Sequence, residues 1–224
     1  MARFQRLEVL QTILGDGLVP VFHHRDPDVA MDVARAVQQG GARLLEFTHR
    51  SDMAHRVFED LVTRAASEVP EIVLGVGSIS DPYTAALYVA AGASFVVGPV
   101  LNPEVARLCN RRKIAYIPGC GSATEVAAAE ELGSEIVKVF PGDSVGGPGF
   151  VKAILGPSPW SRLMPTGGVE ATRESVETWI RAGAAALGIG SSLITKDLLE
   201  KRDIPGLRKR VGDVLGWIRE ARGG

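Results

Sequence analysis

Charged side chains inside apolar runs are the first place to look for chemistry, because burying one is costly unless it has a partner or a task. Lys138 sits in Ile136-Val137-Lys138-Val139-Phe140, with two apolar residues on either side. Strand alternation puts Ile136, Lys138 and Phe140 on one face and Val137 and Val139 on the other. Two readings of Lys138 are open. It snorkels to the strand end, or it is an amine that desolvation leaves neutral and nucleophilic near neutral pH. The other lysines (Lys113, Lys152, Lys196, Lys201, Lys209) fall in helical or loop patterns and read as solvated. Glu46, in Ala42-Arg43-Leu44-Leu45-Glu46-Phe47-Thr48, shares its parity with Leu44 and Thr48. A carboxylate at a strand end can do acid–base work, or it can pair with Arg50; the two readings are compatible. Arg50 is either a solvated loop residue or a bidentate clamp for a substrate carboxylate.

Two glycine pairs follow apolar runs near the C-terminus: Pro165-Thr166-Gly167-Gly168-Val169 and Gly188-Ile189-Gly190-Ser191-Ser192. Glycines in such loops let backbone amides approach an anion, although turns need glycine for other reasons too. His23 and His24 are adjacent after the first apolar run, so alternation points them to opposite sides. They lack metal-ligand spacing with any acidic partner and read as loop residues. No metal is expected.

These groups must be held by a frame, and the frame is legible. Short apolar runs recur at Leu18–Phe22, Arg43–Phe47, Ile72–Val76, Phe95–Val97, Ala115–Ile117, Ile136–Phe140, Leu163–Thr166 and Ala186–Ile189. Runs apolar on both parities are the mark of strands buried on both faces. Between them lie helical patterns with clear starts. Asp26-Pro27, Asp81-Pro82 and Asn102-Pro103 each put a capping residue before a proline at the first helical position. Ser122-Ala123-Thr124-Glu125 fits a capping box. Ile204–Arg222 reads as an amphipathic helix with Leu207, Val211, Val214, Leu215 and Ile218 on one side. Eight strands alternating with helices predict an α/β fold, a (β/α)₈ TIM barrel, with an extra N-terminal helix closing its bottom. In such a barrel the loops after strands seven and eight are a recurrent phosphate site. A dinucleotide-binding open sheet would need a glycine fingerprint after the first strand, and Val19-Pro20-Val21-Phe22-His23-His24 contains no glycine. No linker marks a second domain, so residues 1–224 are expected to form one.

Composition narrows the class. The 224 residues carry 25 Lys+Arg and 26 Asp+Glu, a formal charge of −1, with 46% hydrophobic residues. That balance excludes the basic excess of a dedicated nucleic-acid or membrane-surface binder and gives enough apolar material for a core. Two cysteines, Cys109 and Cys120, rule out a disulfide scaffold. The N-terminal pattern lacks the apolar stretch of a signal peptide, and no apolar run nears the ~18 residues of a membrane span. A soluble cytoplasmic protein is the expectation.

The residues also carry a family pattern. Glu46-Phe47-Thr48-His49-Arg50, Gly75-Val76-Gly77-Ser78, Gly98-Pro99, Ile117-Pro118-Gly119, Val137-Lys138-Val139-Phe140-Pro141, Pro165-Thr166-Gly167-Gly168 and Gly190-Ser191 follow in order. From about Val19 to Leu193 the chain resembles the 2-keto-3-deoxy-6-phosphogluconate / 4-hydroxy-2-oxoglutarate aldolase family. The resemblance implies a metal-independent class I aldolase on a (β/α)₈ barrel, a homotrimer without cofactor. It implies that Lys138 forms a Schiff base with the pyruvyl carbonyl and that Glu46 is the general acid/base. Arg50, Thr166 and Ser78 match substrate-binding positions, Pro99 and Phe140 wall the pyruvyl pocket, and Gly167, Gly168, Gly190 and Ser191 match the phosphate end. His49 stands where Leu is frequent, Ser78 where Thr is usual, and Gly142-Asp143-Ser144 follows Pro141 in place of an Ala-Glu-Ala type. These departures bear on substrate preference more than on reaction type.

The activity so implied is reversible cleavage of a 2-keto-3-deoxy (phospho) sugar acid to pyruvate and an aldehyde such as glyceraldehyde 3-phosphate. A sugar-phosphate isomerase or epimerase would keep the glycines without needing a strand-borne lysine. A non-catalytic sugar-phosphate binder would be favoured by loss of Lys138 or Glu46, and both are present.

Overall fold

In the computed structural model, residues 2–223 are described; Met1 and Gly224, the two ends of the expected domain, lie outside them. The chain opens with α1 (Arg6–Asp16) and then alternates strand and helix: β1 (Leu18–Phe22), α2 (Pro27–Gln39), β2 (Leu44–Thr48), α3 (Ala54–Glu68), β3 (Val73–Gly77), α4 (Pro82–Ala90), β4 (Phe95–Val97) and α5 (Pro103–Arg112). It continues with β5 (Ala115–Ile117), β6 (Gly119–Cys120), α6 (Ala123–Glu131), β7 (Val137–Val139), α7 (Gly147–Leu155), β8 (Leu163–Pro165), α8 (Arg173–Arg181), β9 (Leu187–Ile189), α9 (Lys196–Glu200) and α10 (Ile204–Ala221).

All the strand pairings are parallel, in sheets of order β5-β4-β3-β2-β1-β9 and β6-β7-β8. The fold is α/β and TIM-barrel-like. The expected strand Ala115–Ile117 forms as β5, and a two-residue strand that the sequence did not suggest follows it; between them Pro118 has no amide hydrogen to give a ladder. Ala115–Ile117 therefore pairs with β4, while Gly119–Cys120 pairs with β7. A single parallel bridge, Thr166 to Gly188, joins the outer strands β8 and β9.

Two apolar layers follow from strand parity. One set of residues, including Leu45, Phe47, Leu74, Val76, Val137, Val139 and Leu187, packs against the helices. The other, including Val19, Leu44, Val73, Phe95, Val97, Ile117, Ile136, Met164 and Ala186, packs inward. Val9, Leu10 and Ile13 of α1 join that inner layer, so the N-terminal helix plugs one end of it. The outer helix α10 buries Leu207, Val211, Val214, Leu215 and Ile218, the expected stripe, against α2 and α8.

Helix starts follow the local chemistry. Asp26, Asp81 and Asn102 each accept two backbone amides of the first turn, satisfying donors that a helix leaves unpaired. The expected capping box at Ser122 is half formed. Ser122 Oγ accepts the Glu125 amide at 3.3 Å, but the Glu125 carboxylate takes the Gly121 amide, at 2.7 Å, instead of that of Ser122. The difference pins the β6–α6 loop.

Ile13→Ala should open a cavity where α1 meets the inner strand residues and lower stability by about 2–5 kcal/mol. Urea unfolding checks this; a loss under 1 kcal/mol on the order of a surface substitution would show that α1 is not part of the core.

Candidate active site

The inward parity that buries Leu44 and Ile136 carries Glu46 and Lys138 to the same side. Lys138 is in register with Gly119 of β6 and Met164 of β8, and Glu46 with Val21 of β1 and Gly75 of β3. Space for them comes from missing side chains. A Cβ on Gly77 would overlap the Glu46 carboxylate, one on Gly188 the Thr166 hydroxyl, and one on Gly119 the carbonyl of Pro99. Thus inward glycines on β3, β6 and the β9 strand leave the volume that the polar residues occupy.

Burial sets the electrostatics. Glu46 is 1% exposed and Lys138 6% exposed, so Lys138 does not snorkel. Desolvation raises the Glu46 carboxyl above its ordinary range, against the opposing pull of Lys138 and then Arg50. Desolvation likewise holds the Lys138 amine below the usual lysine range, with Glu46 pulling it up and Arg50 pushing it further down. Both groups are moved toward their neutral forms, an amine able to attack and a carboxylic acid able to give a proton. Lys138 Nζ lies 4.7 Å from the centre of the Phe140 ring. Glu46 Oε2 and Thr166 Oγ1 are buried without a hydrogen-bond partner. In a native interior such orphaned groups call for an explanation, and a site for a polar ligand is one.

The Glu46–Arg50 ion pair expected as one reading does not form. Arg50 lies beyond the strand end and is exposed; its Nε donates to Ser78 Oγ at 3.3 Å. Ser78 has a left-handed backbone, φ 63°, a turn that brings its hydroxyl back toward β2.

A cavity of about 580 Å³ opens over these groups. Arg50, Phe140, Thr166, Gly167, Gly168, Gly190 and Ser191 line it together. Lys138 and Glu46 sit one layer beneath, because Phe140 and Thr48, both on the cavity wall, are two residues further along their strands. Ser78 and Pro99 are off the wall; Ser78 reaches it through Arg50, and the Pro99 carbonyl lies against Gly119. A second cavity, about 660 Å³, lies against α1, lined by Phe4, Arg6, Leu7, Arg112 and Glu135 among others. It contains no strand-borne titratable group. Among the described residues no cluster of three His, Cys, Asp or Glu side chains could hold a metal ion, and no helix is long and apolar enough to cross a membrane.

His23 and His24 are loop residues, as expected, but the two expected on opposite sides both line the cavity. Strand β1 ends at Phe22, so alternation no longer governs the two side chains. Their position directly after a strand was the available signal.

The sequence model described as KDPG and KHG aldolase matches residues 10–209. The chain belongs to this family. It is 34% identical over 163 residues to a 2-dehydro-3-deoxy-phosphogluconate aldolase of Pseudoalteromonas atlantica, covering 72% of this chain and 74% of that one. It is 30% identical over 200 residues to the KHG/KDPG aldolase of Escherichia coli K12, covering 89% and 91%. The crystal structure of the KDPG aldolase of Legionella pneumophila, with pyruvate captured at low pH as a covalent carbinolamine, superposes with a TM-score of 0.82 at 26% identity over 91% of this chain and 96% of that one. As a KDPG and KHG aldolase family member the chain is a lyase.

The packing of Gly77 against Glu46 is testable without substrate. Gly77→Ala should lower stability by about 1–3 kcal/mol through overpacking. In a Glu46→Ala background the same change should cost far less, since the obstructing carboxylate is gone. Thermal unfolding of the double-mutant cycle reads the coupling; strict additivity would show that Gly77 does not make room for Glu46.

Proposed function

We propose that the chain is a class I aldolase that cleaves a 2-keto-3-deoxy-6-phospho sugar acid to pyruvate and glyceraldehyde 3-phosphate through a Schiff base on Lys138. The observation that carries the reading is a lysine buried in the inner layer, its amine held toward neutrality by desolvation, beside a buried carboxyl with an orphaned oxygen. The frame is a closed eight-stranded barrel in which residues 115–120 count as one strand, and the chain acts as one cytoplasmic domain in a homotrimer.

The Lys138 amine adds to the C2 carbonyl, and the carbinolamine loses water as Glu46, protonated, gives a proton to the departing hydroxyl. The resulting iminium is an electron sink. Glu46, now a carboxylate, takes the proton of the C4 hydroxyl through a water. The C3–C4 pair flows into the iminium to leave an enamine, and the aldehyde departs. A proton then returns to C3, and water releases pyruvate and the amine. Arg50, steadied by Ser78, and Thr166, with its unpaired hydroxyl, hold the pyruvyl carboxylate, which turns orientation into rate. Phe140 walls the pyruvyl end, with Pro99 behind the wall against Gly119. The amides of Gly167, Gly168, Gly190 and Ser191 donate to no other backbone carbonyl among the described residues and suit the distal phosphate. No cofactor is needed.

Borohydride with pyruvate should add a stable mass to the peptide carrying Lys138. Lys138→Arg, whose guanidinium stays protonated, should lose nearly all cleavage. Label on Lys152 or Lys113 instead, or activity without label, would overturn the assignment.

The pH dependence has a definite sign. The Glu46 charge favours the protonated amine, so Glu46→Gln should move the rising limb of trapping against pH to lower pH while slowing turnover. A shift to higher pH would remove Glu46 from contact with Lys138. Light scattering should give three times the 23.8 kDa chain mass; a mass near one chain would sink the trimer.

A further inference from the structure

We infer that His24 is a specificity-determining residue: its Nε2–H donates to the terminal phosphate of the substrate, completing the donors offered by the glycine loops. The inference rests on the aldolase reading and concerns the part of the cavity wall formed by the glycine loops.

Two adjacent imidazoles line this cavity, and their hydrogen bonds give them opposite tautomers. His23 Nδ1 lies 2.9 Å from the Thr48 carbonyl oxygen. A carbonyl only accepts, so Nδ1 carries the proton and Nε2 is a lone pair. That Nε2 is buried without a partner. Burial, followed by the repulsion of Arg50, Arg25 and His24, lowers the pKa of His23 despite its bond to Thr48. His23 therefore ties the end of β1 to the end of β2 and offers no donor to a ligand.

His24 is the reverse case. Its Nδ1 is 3.0 Å from the Asp26 amide nitrogen and 3.4 Å from the Asp26 carbonyl oxygen. The shorter contact is with a donor, so Nδ1 accepts and the ring proton resides on Nε2. The two ring nitrogens diverge, so fixing Nδ1 on the backbone at the start of α2 turns Nε2–H away from that helix. The side chain shares the cavity wall with Gly167, Gly168, Gly190 and Ser191. Gly167 and Gly168 both have left-handed backbones, φ 83° and 75°, and their amides are unspent within the backbone. At the rim, Lys196 makes an exposed pair with Glu200 at 3.3 Å, of the kind that holds little energy. His24 offers a side-chain N–H on the wall itself for a phosphate oxygen, beside the hydroxyl of Ser191. A hydrogen bond to a charged group is of the strength that changes affinity about 10- to 100-fold.

The experiment compares two keto acids, 2-keto-3-deoxy-6-phosphogluconate and the short, unphosphorylated 4-hydroxy-2-oxoglutarate. His24→Phe keeps a ring and removes the donor. It should raise KM for the phosphorylated substrate about 10- to 100-fold, with kcat within about twofold, and leave KM for the short substrate unchanged. His24→Gln retains a side-chain N–H and should recover most of the loss. Equal effects on the two substrates, no effect on either, or failure of Gln to rescue would each overturn the inference.

A readout on the wild-type protein guards against a variant that misfolds. Titration with glyceraldehyde 3-phosphate should move the His24 ring resonances in NMR while those of His55, on α3, stay in place; unmoved His24 resonances would overturn the inference. Pyruvate trapping on Lys138 does not involve His24. Wild-type protein that traps pyruvate while His24→Phe leaves KM untouched removes His24 alone, whereas absence of trapping in the wild type removes the parent reading and this one with it.

Discussion

Desolvation of two ionisable groups in one inner layer is the constraint on which the rest of the structure depends. An isolated ammonium or carboxylate taken out of water carries a penalty of several kcal/mol, and each pKa unit of displacement corresponds to about 1.4 kcal/mol. Lys138 and Glu46 meet that penalty by moving toward their neutral forms. Such an arrangement lasts only where the walls cannot relax or admit water. The outer layer of Leu45, Phe47, Val137 and Val139 against the helices supplies the rigidity. The inner glycines supply room without loosening the strands.

Parallel strands have a geometric consequence that serves the site. All of them finish at the same end, so each following loop and helix start collects there. Caps such as Asp26, Asp81, Asn102 and Thr172 fix those starts with side-chain hydrogen bonds. Arg50, Ser78, Thr166 and the histidines are thereby presented by short, anchored segments. Positioning is achieved by the frame, and the chemistry is left to a few side chains with little freedom.

Much of this was legible in the sequence because it rests on local rules. Proline after Asp or Asn marked three helix starts, and alternation grouped Lys138 with Ile136 and Phe140 and Glu46 with Leu44 and Thr48, while only the structure turns both groups inward. The stripe from Leu207 to Ile218 was correct residue by residue. What escaped depends on relations between distant segments. Gly119 and Cys120, just past Pro118, form an unexpected short strand on β7, because a single sequence does not display partners. The Glu125 carboxylate prefers the Gly121 amide over that of Ser122, a choice made by the loop's tertiary course. The Glu46–Arg50 pair failed because one residue is buried in the strand and the other is turned out toward Ser78. The place of His23 and His24 was hidden by extending strand alternation past the strand's end.

The plug made by Val9, Leu10 and Ile13 governs traffic. With one end of the inner layer closed by apolar side chains, whatever reaches Lys138 comes and goes through the mouth between the β1, β2, β8 and β9 loops. In the proposed reaction, a solvent molecule arriving to free the amine follows the same path that a departing fragment takes outward. The order of departures is then imposed by the shape of the enclosure: the piece nearer the mouth leaves before the piece held deeper, and a molecule lingering at the entrance holds back everything behind it.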